Sequence, residues 1–421
     1  MKNRSYGFGV EISTLTTQLS INLMVASGEM WIVKLFRQRL YSRRRALRLG
    51  LVALSTPITL SLTKSMAIDP AHSMDDRQKF PVVGKKSLRQ RAQAKGLIYG
   101  AFPQADDRQF ASNLALQARF VRECAMMTVG CYWVTSRPSV STFDFTASDY
   151  FGKFAQRHQL RLHGHPLVWH EAMPTWVEAT LTPTNAEQIL TEHIQRVVGR
   201  YAGKISSWDV VNEAIHVGHN RRADGFRDTP WLKLLGTDYL DLAFRVAAKA
   251  DPQAKLVYND FGVEYDTPEA DAKREAILNL LQRFKQQGTP IYALGIQSHL
   301  SVNRDRFNRV KFRSFLSSVA KLGLKIRISE LDVTDNNLPL EIANRDRSIA
   351  RMYADYLATA LDERAVISVT TWGLSDRYTW LAQEKPRTDL APVRPLPFDL
   401  NYQPKLAQQA IAWAFDRAPK R

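Results

Sequence analysis

Cysteine is scarce in this chain: Cys124 and Cys131 are the only two among 421 residues. Two cysteines supply neither a disulfide framework nor the ligand set of a structural zinc site. Their spacing would allow a bridge across a hairpin, but we favour two separate reduced thiols. The sequence also has no His-Glu-x-x-His segment or comparable spacing of histidines and carboxylates. We therefore expect no metal site.

After residue 67 the chain has no long apolar run, and it has no basic cluster interleaved with aromatic residues. These absences argue against a stable membrane span and against nucleic acid as a partner. Residues 1–67 contain ten lysines and arginines and two glutamates, so they supply +8 of the net charge of +17. The rest of the charge is spread thinly, which is typical of a solvated basic face.

Residues 1–67 have the pattern of an N-terminal extension and an export signal. A basic stretch, Ser42-Arg43-Arg44-Arg45, precedes an apolar run from Leu49 to Leu62, and Ser65-Met66-Ala67 offers small residues for cleavage. The paired arginines resemble a twin-arginine signal, which predicts a periplasmic or extracellular protein. The alternative is an uncleaved membrane anchor, although the run is short and contains Pro57. Residues 68–90 are polar and predict a linker.

From about residue 91 the chain alternates between short apolar runs and longer segments with helical spacing of apolar residues. The eight runs, which predict strands, are 97–100, 124–128, 160–165, 208–213, 256–260, 293–297, 326–330 and 366–372. The clearest helical segments are 185–198, 239–250, 270–286, 310–322 and 345–361. Eight strand-then-helix units predict an α/β protein with a single (β/α)8 TIM barrel over residues 91–418.

Two glutamates, Glu213 and Glu330, close the fourth and the seventh of these runs. A carboxylate at the end of a core strand is costly unless it has a partner or a function. Functional sites of such barrels lie at the carboxyl ends of the strands, and strands four and seven face each other across the barrel mouth. Paired carboxylates are the groups that hydrolyse glycosidic bonds. The pair therefore predicts a glycosidase centre.

The other strand ends carry polar and aromatic side chains suited to sugars. Tryptophan faces pack on pyranose rings, and amide or imidazole groups bind the hydroxyls. Taken singly, each is more often structural; we assign Trp208 to the core and expect Asp209 and Asp260 to accept from backbone or arginine donors. As a set they converge on one face of the barrel. The candidate site residues around the pair are His165, Trp169, Asn212, Gln297, His299, Asp332, Trp372 and Trp380.

Several segments, in order, resemble the motifs of glycoside hydrolase family 10, the endo-β-1,4-xylanases. Trp-Asp-Val-Val-Asn-Glu at 208–213 is similar to the acid/base motif of that family, and Gly-His-Pro-Leu-Val-Trp-His at 164–170 to its third-strand motif. Later matches are at 258–261, 295–300, 329–332, 371–376 and 398–405. The resemblance covers residues 95 to 418, and its motifs are specific in combination.

The resemblance implies a retaining mechanism in which Glu213 is the general acid/base and Glu330 the nucleophile, with carboxyl groups about 5–5.5 Å apart. It implies that the neighbouring Glu330 raises the pKa of Glu213. His299 and Asp332 would orient the nucleophile, and Asn212 would bind the sugar 2-hydroxyl. The residues that would wall the sugar subsites are His165, Trp169, Trp372 and Trp380. The mechanism requires no cofactor, and we expect a monomer acting on a β-1,4-linked polysaccharide, most readily xylan.

The chain departs from the family at the second strand. The family usually has Glu-Asn-x-x-Lys-Trp there, and this chain has Thr128-Val129-Gly130-Cys131-Tyr132-Trp133. A glutamine common after the third-strand motif is replaced by Ala172. Fewer polar groups for the glycone sugar leave three hypotheses open. They are a retaining endo-1,4-β-xylanase, a retaining glycosidase for another β-glycan, and a non-catalytic sugar-binding barrel.

Overall fold

The structure, a computed structural model, describes residues 80–82, 84–218, 221–302, 307–336 and 338–421. The predicted export signal and the first part of the predicted linker lie outside these residues. Phe80 and Leu88 are buried in the hydrophobic core, and the first described helix starts at Leu88 behind a capping box formed by Ser87 and Gln90. The predicted linker, residues 68–90, therefore includes residues that pack against the barrel.

The described residues contain nine strands, and eight of them form a closed parallel barrel. The barrel order is β1-β2-β3-β4-β5-β6-β8-β9, with β9 hydrogen-bonded to β1. The short strand β7 follows β6 in the chain and pairs with the C-terminal part of β8. The strands are β1 Ile98–Ala101, β2 Met126–Gly130, β3 Arg161–His165, β4 Ile205–Asn212, β5 Lys255–Asp260, β6 Ala293–Ile296, β7 His299–Ser301, β8 Lys325–Thr334 and β9 Val366–Thr371.

Helices follow the strands and cover the outside of the barrel, so the predicted single (β/α)8 barrel is confirmed. The helices are α1 Leu88–Gln93, α2 Asp107–Ser112, α3 Leu114–Glu123, α4 Trp133–Ser136, α5 Thr146–Arg157, α6 Thr175–Thr180, α7 Ala186–Arg200, α8 Pro230–Leu235, α9 Tyr239–Ala250, α10 Pro268–Gln287, α11 Arg309–Lys321, α12 Ile342–Leu361, α13 Leu381–Glu384 and α14 Leu406–Arg417. Short 3-10 turns occupy Gly236–Asp238 and Asp376–Tyr378. None of the helices in the described residues has the length and apolar character needed to cross a bilayer.

The element ends follow from local chemistry. Helix α10 begins at Pro268 with the Thr267 side chain accepting from the Ala270 N–H, and it ends at Gly288 in the left-handed conformation. Each of the eight predicted runs corresponds to a barrel strand. The longest strand, β8, continues four residues past Glu330, because Asp332, Val333 and Thr334 also pair with β7.

The barrel interior contains a polar column that rises towards the mouth. Arg327 donates to the Ser207 hydroxyl, and that hydroxyl lies 2.9 Å from His163 Nδ1. His163 and His165 both bond one oxygen of Asp209, at 2.9 and 2.8 Å. Asp209 accepts from histidines, not from the backbone or arginine donors expected from the sequence, because alternate residues of β3 and β4 point into the same interior.

Trp208 is fully buried, as expected for a core residue, and it fixes the identity of residue 164. A Cβ on Gly164 would lie 2.1 Å from the Trp208 ring. Strands β3 and β4 pair at this point, with Gly164 opposite Trp208. The Trp208 indole therefore occupies the space that a side chain at residue 164 would need.

We predict that Gly164→Ala destabilises the protein by about 1–3 kcal/mol, because the added methyl forces the buried indole or the strand to move. Urea unfolding would measure the change. The control is Gly152→Ala in helix α5, where a Cβ has no neighbour within 4 Å and removing a helical glycine should stabilise by about 0.5–1 kcal/mol. A Gly164→Ala variant as stable as the parent would contradict the packing described here.

Candidate active site

Glu213 and Glu330 lie at the carboxyl end of the barrel, and neighbouring strands hold the backbone of each. The Glu213 N–H donates to the Asn259 carbonyl at 2.8 Å, and the Glu330 N–H donates to the Gln297 carbonyl at 3.0 Å. Glu213 has a φ of 60°, in the left-handed region that non-glycine residues rarely adopt. Strained backbone at a strand end that carries a buried carboxyl is a feature of functional sites.

A bridge of side-chain amides connects the two carboxyl groups. Asn259 Nδ2 donates to Glu330 Oε1 at 2.7 Å and to Asn212 Oδ1 at 2.9 Å. Gln297 Nε2 donates to Glu213 Oε1 at 3.0 Å and to Asn212 Oδ1 at 3.2 Å. Asn212 Nδ2 completes the bridge with a 3.2 Å bond to Glu213 Oε1. The structure thus brings together four predicted site residues and one, Asn259, that the sequence did not single out as a site residue.

Burial raises the pKa of Glu213, and the Gln297 hydrogen bond together with the charges of His170 and Arg227 offset this only in part. The sequence predicted a raised pKa with Glu330 as the cause; the direction is confirmed, but the pKa is raised by burial and, to a smaller extent, by Asp260. Two amide groups donate to Oε1, while Arg227 lies 3.7 Å from Oε2. A proton on this carboxyl therefore belongs on Oε2, the oxygen without amide donors.

Glu330 is surrounded by hydrogen-bond donors. His299 Nε2 lies 3.3 Å from its Oε2, and His299 Nδ1 lies 3.0 Å from Asp332 Oδ1. Burial disfavours the charged imidazole, but Asp332 and Glu330 outweigh it and raise the pKa of His299 to about 10. Trp380 Nε1 donates to the other oxygen of Asp332 at 2.7 Å. Glu330 thus faces an imidazolium that is itself held by a second carboxylate.

His165 connects the polar column to Glu330. Its Nδ1 lies 2.8 Å from Asp209 and 3.9 Å from Glu330 Oε1. Burial lowers the pKa of His165, but the charges of Glu330 and Asp209 more than compensate, so the net shift is upward. The pKa of Asp209 is held well below its usual range because His163 and His165 outweigh the effect of burial.

Aromatic rings surround His165 at the mouth. Trp372 lies 5.1 Å from the imidazole centroid and Trp169 lies 6.4 Å away. Phe102, after β1, stacks on Trp372 at 4.4 Å, and Tyr132, after β2, lies 5.8 Å from His165. The sequence predicted the two tryptophans; it missed Phe102 and Tyr132, whose only signal was their position at strand ends.

Arg227 was also missed by the sequence, because it follows Glu213 by 14 residues in a loop without strand pattern. Its Nε donates to the Glu213 carbonyl at 2.6 Å. Asp260, expected to satisfy backbone or arginine donors, accepts from the Phe261 N–H at 2.9 Å and pairs with Lys273 at 2.7 Å. Arg227, from a loop, and Lys273, from helix α10, therefore support the Glu213 side of the site.

The remaining candidates for redox or metal chemistry are few. Cys124 and Cys131 are both buried free thiols, which confirms separate thiols over a bridge. Burial raises the pKa of the Cys131 thiol to about 12, which removes the thiolate needed for reactivity. Among the described residues no group of three His, Cys, Asp or Glu side chains could hold a metal ion.

We predict that His299→Asn changes the pH dependence of stability. The pKa of His299 is about 10 in the fold against 6.5 in the unfolded chain, so its contribution is complete below pH 6.5 and is lost as pH rises through about 10. The difference in Tm between wild type and variant should therefore be largest near pH 6 and shrink towards pH 10. His158→Asn, after helix α5, is the control. A Tm difference constant across this range would contradict the ion pairing.

Comparison with known proteins agrees with the site. The model of Glycosyl hydrolase family 10 matches residues 87–414. Endo-1,4-beta-xylanase 5 of Pyricularia oryzae is 32% identical over 333 residues, which is 78% of this chain and 78% of that protein. Native xylanase 10B from Thermotoga maritima superimposes with a TM-score of 0.70 at 30% identity, covering 79% of this chain and 98% of that chain. Xylanase 10B from Thermotoga petrophila in complex with xylobiose gives 0.71 at 30% identity, covering 80% and 99%. The chain belongs to glycosyl hydrolase family 10.

Proposed function

We propose that the protein is a retaining endo-1,4-β-xylanase, with Glu213 as acid/base and Glu330 as nucleophile. The observation that carries the proposal is the unequal surroundings of the two buried carboxyls. Glu213 has a pKa raised by burial and two amide donors on one oxygen. Glu330 receives donors on both oxygens, from Asn259 and His299. Glu213 is therefore suited to carry a proton, and Glu330 is suited to accept hydrogen bonds.

In the first step Glu213 gives its proton to the glycosidic oxygen while Glu330 attacks the anomeric carbon, so the bond to the leaving sugar breaks and a glycosyl ester forms. In the second step Glu213, now ionised, takes a proton from water, and the water oxygen displaces Glu330. Two inversions restore the β configuration. The hydrolysis consumes one water and needs no other reactant.

The imidazolium of His299 affects the two reaction steps in opposite directions. A positive charge beside Glu330 stabilises its carboxylate before attack, and part of this stabilisation is lost as the carboxylate becomes an ester in the first step. The same charge stabilises the carboxylate as it leaves in the second step. Asp332 balances the charge and fixes the ring, since it bonds Nδ1 at 3.0 Å. The pair His299 and Asp332 therefore balances ester formation against ester hydrolysis.

Xylan is the substrate that the relatives favour, because those reported above are named as xylanases and one solved neighbour holds xylobiose. The test is hydrolysis of xylohexaose followed by proton NMR. We expect the β anomer of the new reducing end first, with slow mutarotation afterwards. An initial α anomer would contradict retention. Parallel assays on β-1,4-glucan oligosaccharides separate xylan from another β-glycan.

We predict that Glu213→Gln lowers kcat on xylan by about 10²–10⁴-fold, because the leaving oxygen loses its proton donor. The loss in ester formation should be much smaller on 2,4-dinitrophenyl β-xyloside, whose leaving group needs no proton. The wild-type rate should fall as pH rises through the raised pKa of Glu213, and the pH profile of the variant should lack this decline.

The control is Glu187→Gln on helix α7, an exposed carboxyl on the outside of the barrel. Glu330→Ala should abolish turnover of both substrates, because no other group forms the ester. If Glu330→Ala hydrolysed xylan at the parental rate, or if Glu213→Gln lost the same factor on both substrates, the assigned roles would be wrong.

We propose further that the protein is exported through the twin-arginine pattern at Arg43-Arg44 and works as a monomer. The basic stretch, the apolar run and Ser65-Met66-Ala67 support export. We predict cleavage after Ala67, visible as a mature N-terminus by mass spectrometry of the exported protein. The double substitution Arg43→Lys and Arg44→Lys should keep the protein in the cytoplasm. An intact N-terminus in the membrane fraction would favour the anchor instead. Light scattering on the purified protein tests the monomer.

A further inference from the structure

The two segments where the sequence departs from its family lie next to each other at the barrel mouth. The Val134 N–H, in the short helix α4 that follows β2, donates to the Ala172 carbonyl at 2.9 Å. Ala172 has a φ of 55°, so its loop bends sharply at this contact. The Cys131 N–H donates to the His165 carbonyl at 2.6 Å. The segment after β2 and the loop after β3 therefore form one wall, and Tyr132 lies within it.

Tyr132 folds back over the end of β2. A Cβ on Gly130 would lie 2.8 Å from the Tyr132 ring and 3.8 Å from Phe102. Only a glycine leaves room for the phenol ring against the strand end. The ring is fixed on its other side by His165 at 5.8 Å and by Trp169 at 5.9 Å. The aromatic ring thus occupies a defined position, half-buried, next to the imidazole that contacts Glu330.

The Tyr132 hydroxyl forms no hydrogen bond with any residue in the described part of the chain, whereas the amide and imidazole groups around Glu330 are bonded to protein atoms. Burial raises the pKa of the Tyr132 phenol far above its usual value, and the nearby charges of Glu330 and Asp209 raise it further. Tyr132 therefore stays a neutral donor at every pH at which the enzyme could work.

We propose that Tyr132 is a substrate-binding residue whose hydroxyl donates a hydrogen bond to the sugar unit seated on Glu330, in a pocket where aromatic rings stand in place of charged and amide groups. The inference rests on the proposed function, because it assumes a glycosyl unit at the nucleophile. It makes Tyr132 a determinant of which sugar fits this side of the cleft. Phe102 and Trp372, stacked at 4.4 Å, supply the continuing aromatic surface.

The test compares Tyr132→Phe with wild type on 4-nitrophenyl β-xyloside and β-xylobioside. Loss of one neutral hydrogen bond should lower kcat/KM about 3- to 10-fold on both. Because the phenol does not ionise, the factor should be the same from pH 5 to pH 8. A loss confined to the xylobioside would place the contact one sugar further away and overturn the proposal, as would no loss on either.

A panel of deoxy-xylosides separates a substrate contact from a structural effect. On the one analogue that lacks the bonded hydroxyl, Tyr132→Phe should lose nothing further, since both partners of the bond are already gone. An equal loss on every analogue would mean that the hydroxyl acts without touching substrate. Tyr132→Ala should lose more than Tyr132→Phe. A faster Tyr132→Ala would mean that the ring obstructs the pocket, which would overturn the proposal.

Tyr292→Phe is the matched control. Tyr292 is also half-buried but directly precedes β6, at the opposite end of the barrel, and its ring contacts Lys255 at 5.2 Å. The kcat/KM of the Tyr292→Phe variant should equal that of wild type. Titration calorimetry with xylotriose, carried out in the Glu330→Ala background so that the sugar is not hydrolysed, gives a second readout, in which adding Tyr132→Phe should raise Kd about 3- to 10-fold. If the wild type cleaves no xyloside but Tyr132→Phe still raises the Kd for xylotriose, the proposed function is wrong and the inference stands. An unchanged Kd refutes the inference.

Discussion

The site depends on the amide bridge that joins two buried carboxyls across the barrel mouth. A buried carboxyl without partners costs several kcal/mol, so neither glutamate could remain at its strand end alone. Asn259 and Gln297 reduce this cost by donating to Glu330 and Glu213, and both also donate to Asn212, which ties the two sides together. Gly295 is part of the same constraint, because a Cβ there would lie 2.2 Å from the Asn259 amide oxygen. The barrel has to leave that space empty for the bridge to form.

The bridge treats the two carboxyls differently because the groups behind them differ. On one side Glu213 is surrounded by neutral amides, and its nearest cation, Arg227, is 3.7 Å away. On the other side His299 carries a charge because two carboxylates flank it, which raises its pKa to about 10. Chemically identical side chains thus acquire distinct surroundings from the groups packed behind them. The difference between the surroundings of Glu213 and Glu330 is therefore a property of the barrel.

The aromatic wall around His165 sets a different kind of constraint. Hydrogen-bonding groups select sugars by the placement of hydroxyls, whereas ring faces accept any pyranose of suitable shape. Tyr132, beside Gly130, offers both a ring face and a hydroxyl in this wall. The polar column below ends in Asp209 and His165, and the Tyr132 ring packs against the same imidazole. The polar column and the aromatic wall therefore meet at His165.

Much of the fold and of the candidate site could be predicted from the amino-acid sequence. Alternating apolar runs and helical segments predicted the barrel, and the fixed rule that barrel sites lie at strand ends brought Glu213 and Glu330 together with His299, Asp332, Asn212 and Gln297. Periodicity and strand ends are local, so the sequence alone determined them. Only the tertiary structure decided the partners of Asp209, the support from Arg227, the bridging role of Asn259 and the position of the Tyr132 ring. Each of these depends on which side chains meet across strands or loops distant in sequence, and no local pattern records such a meeting.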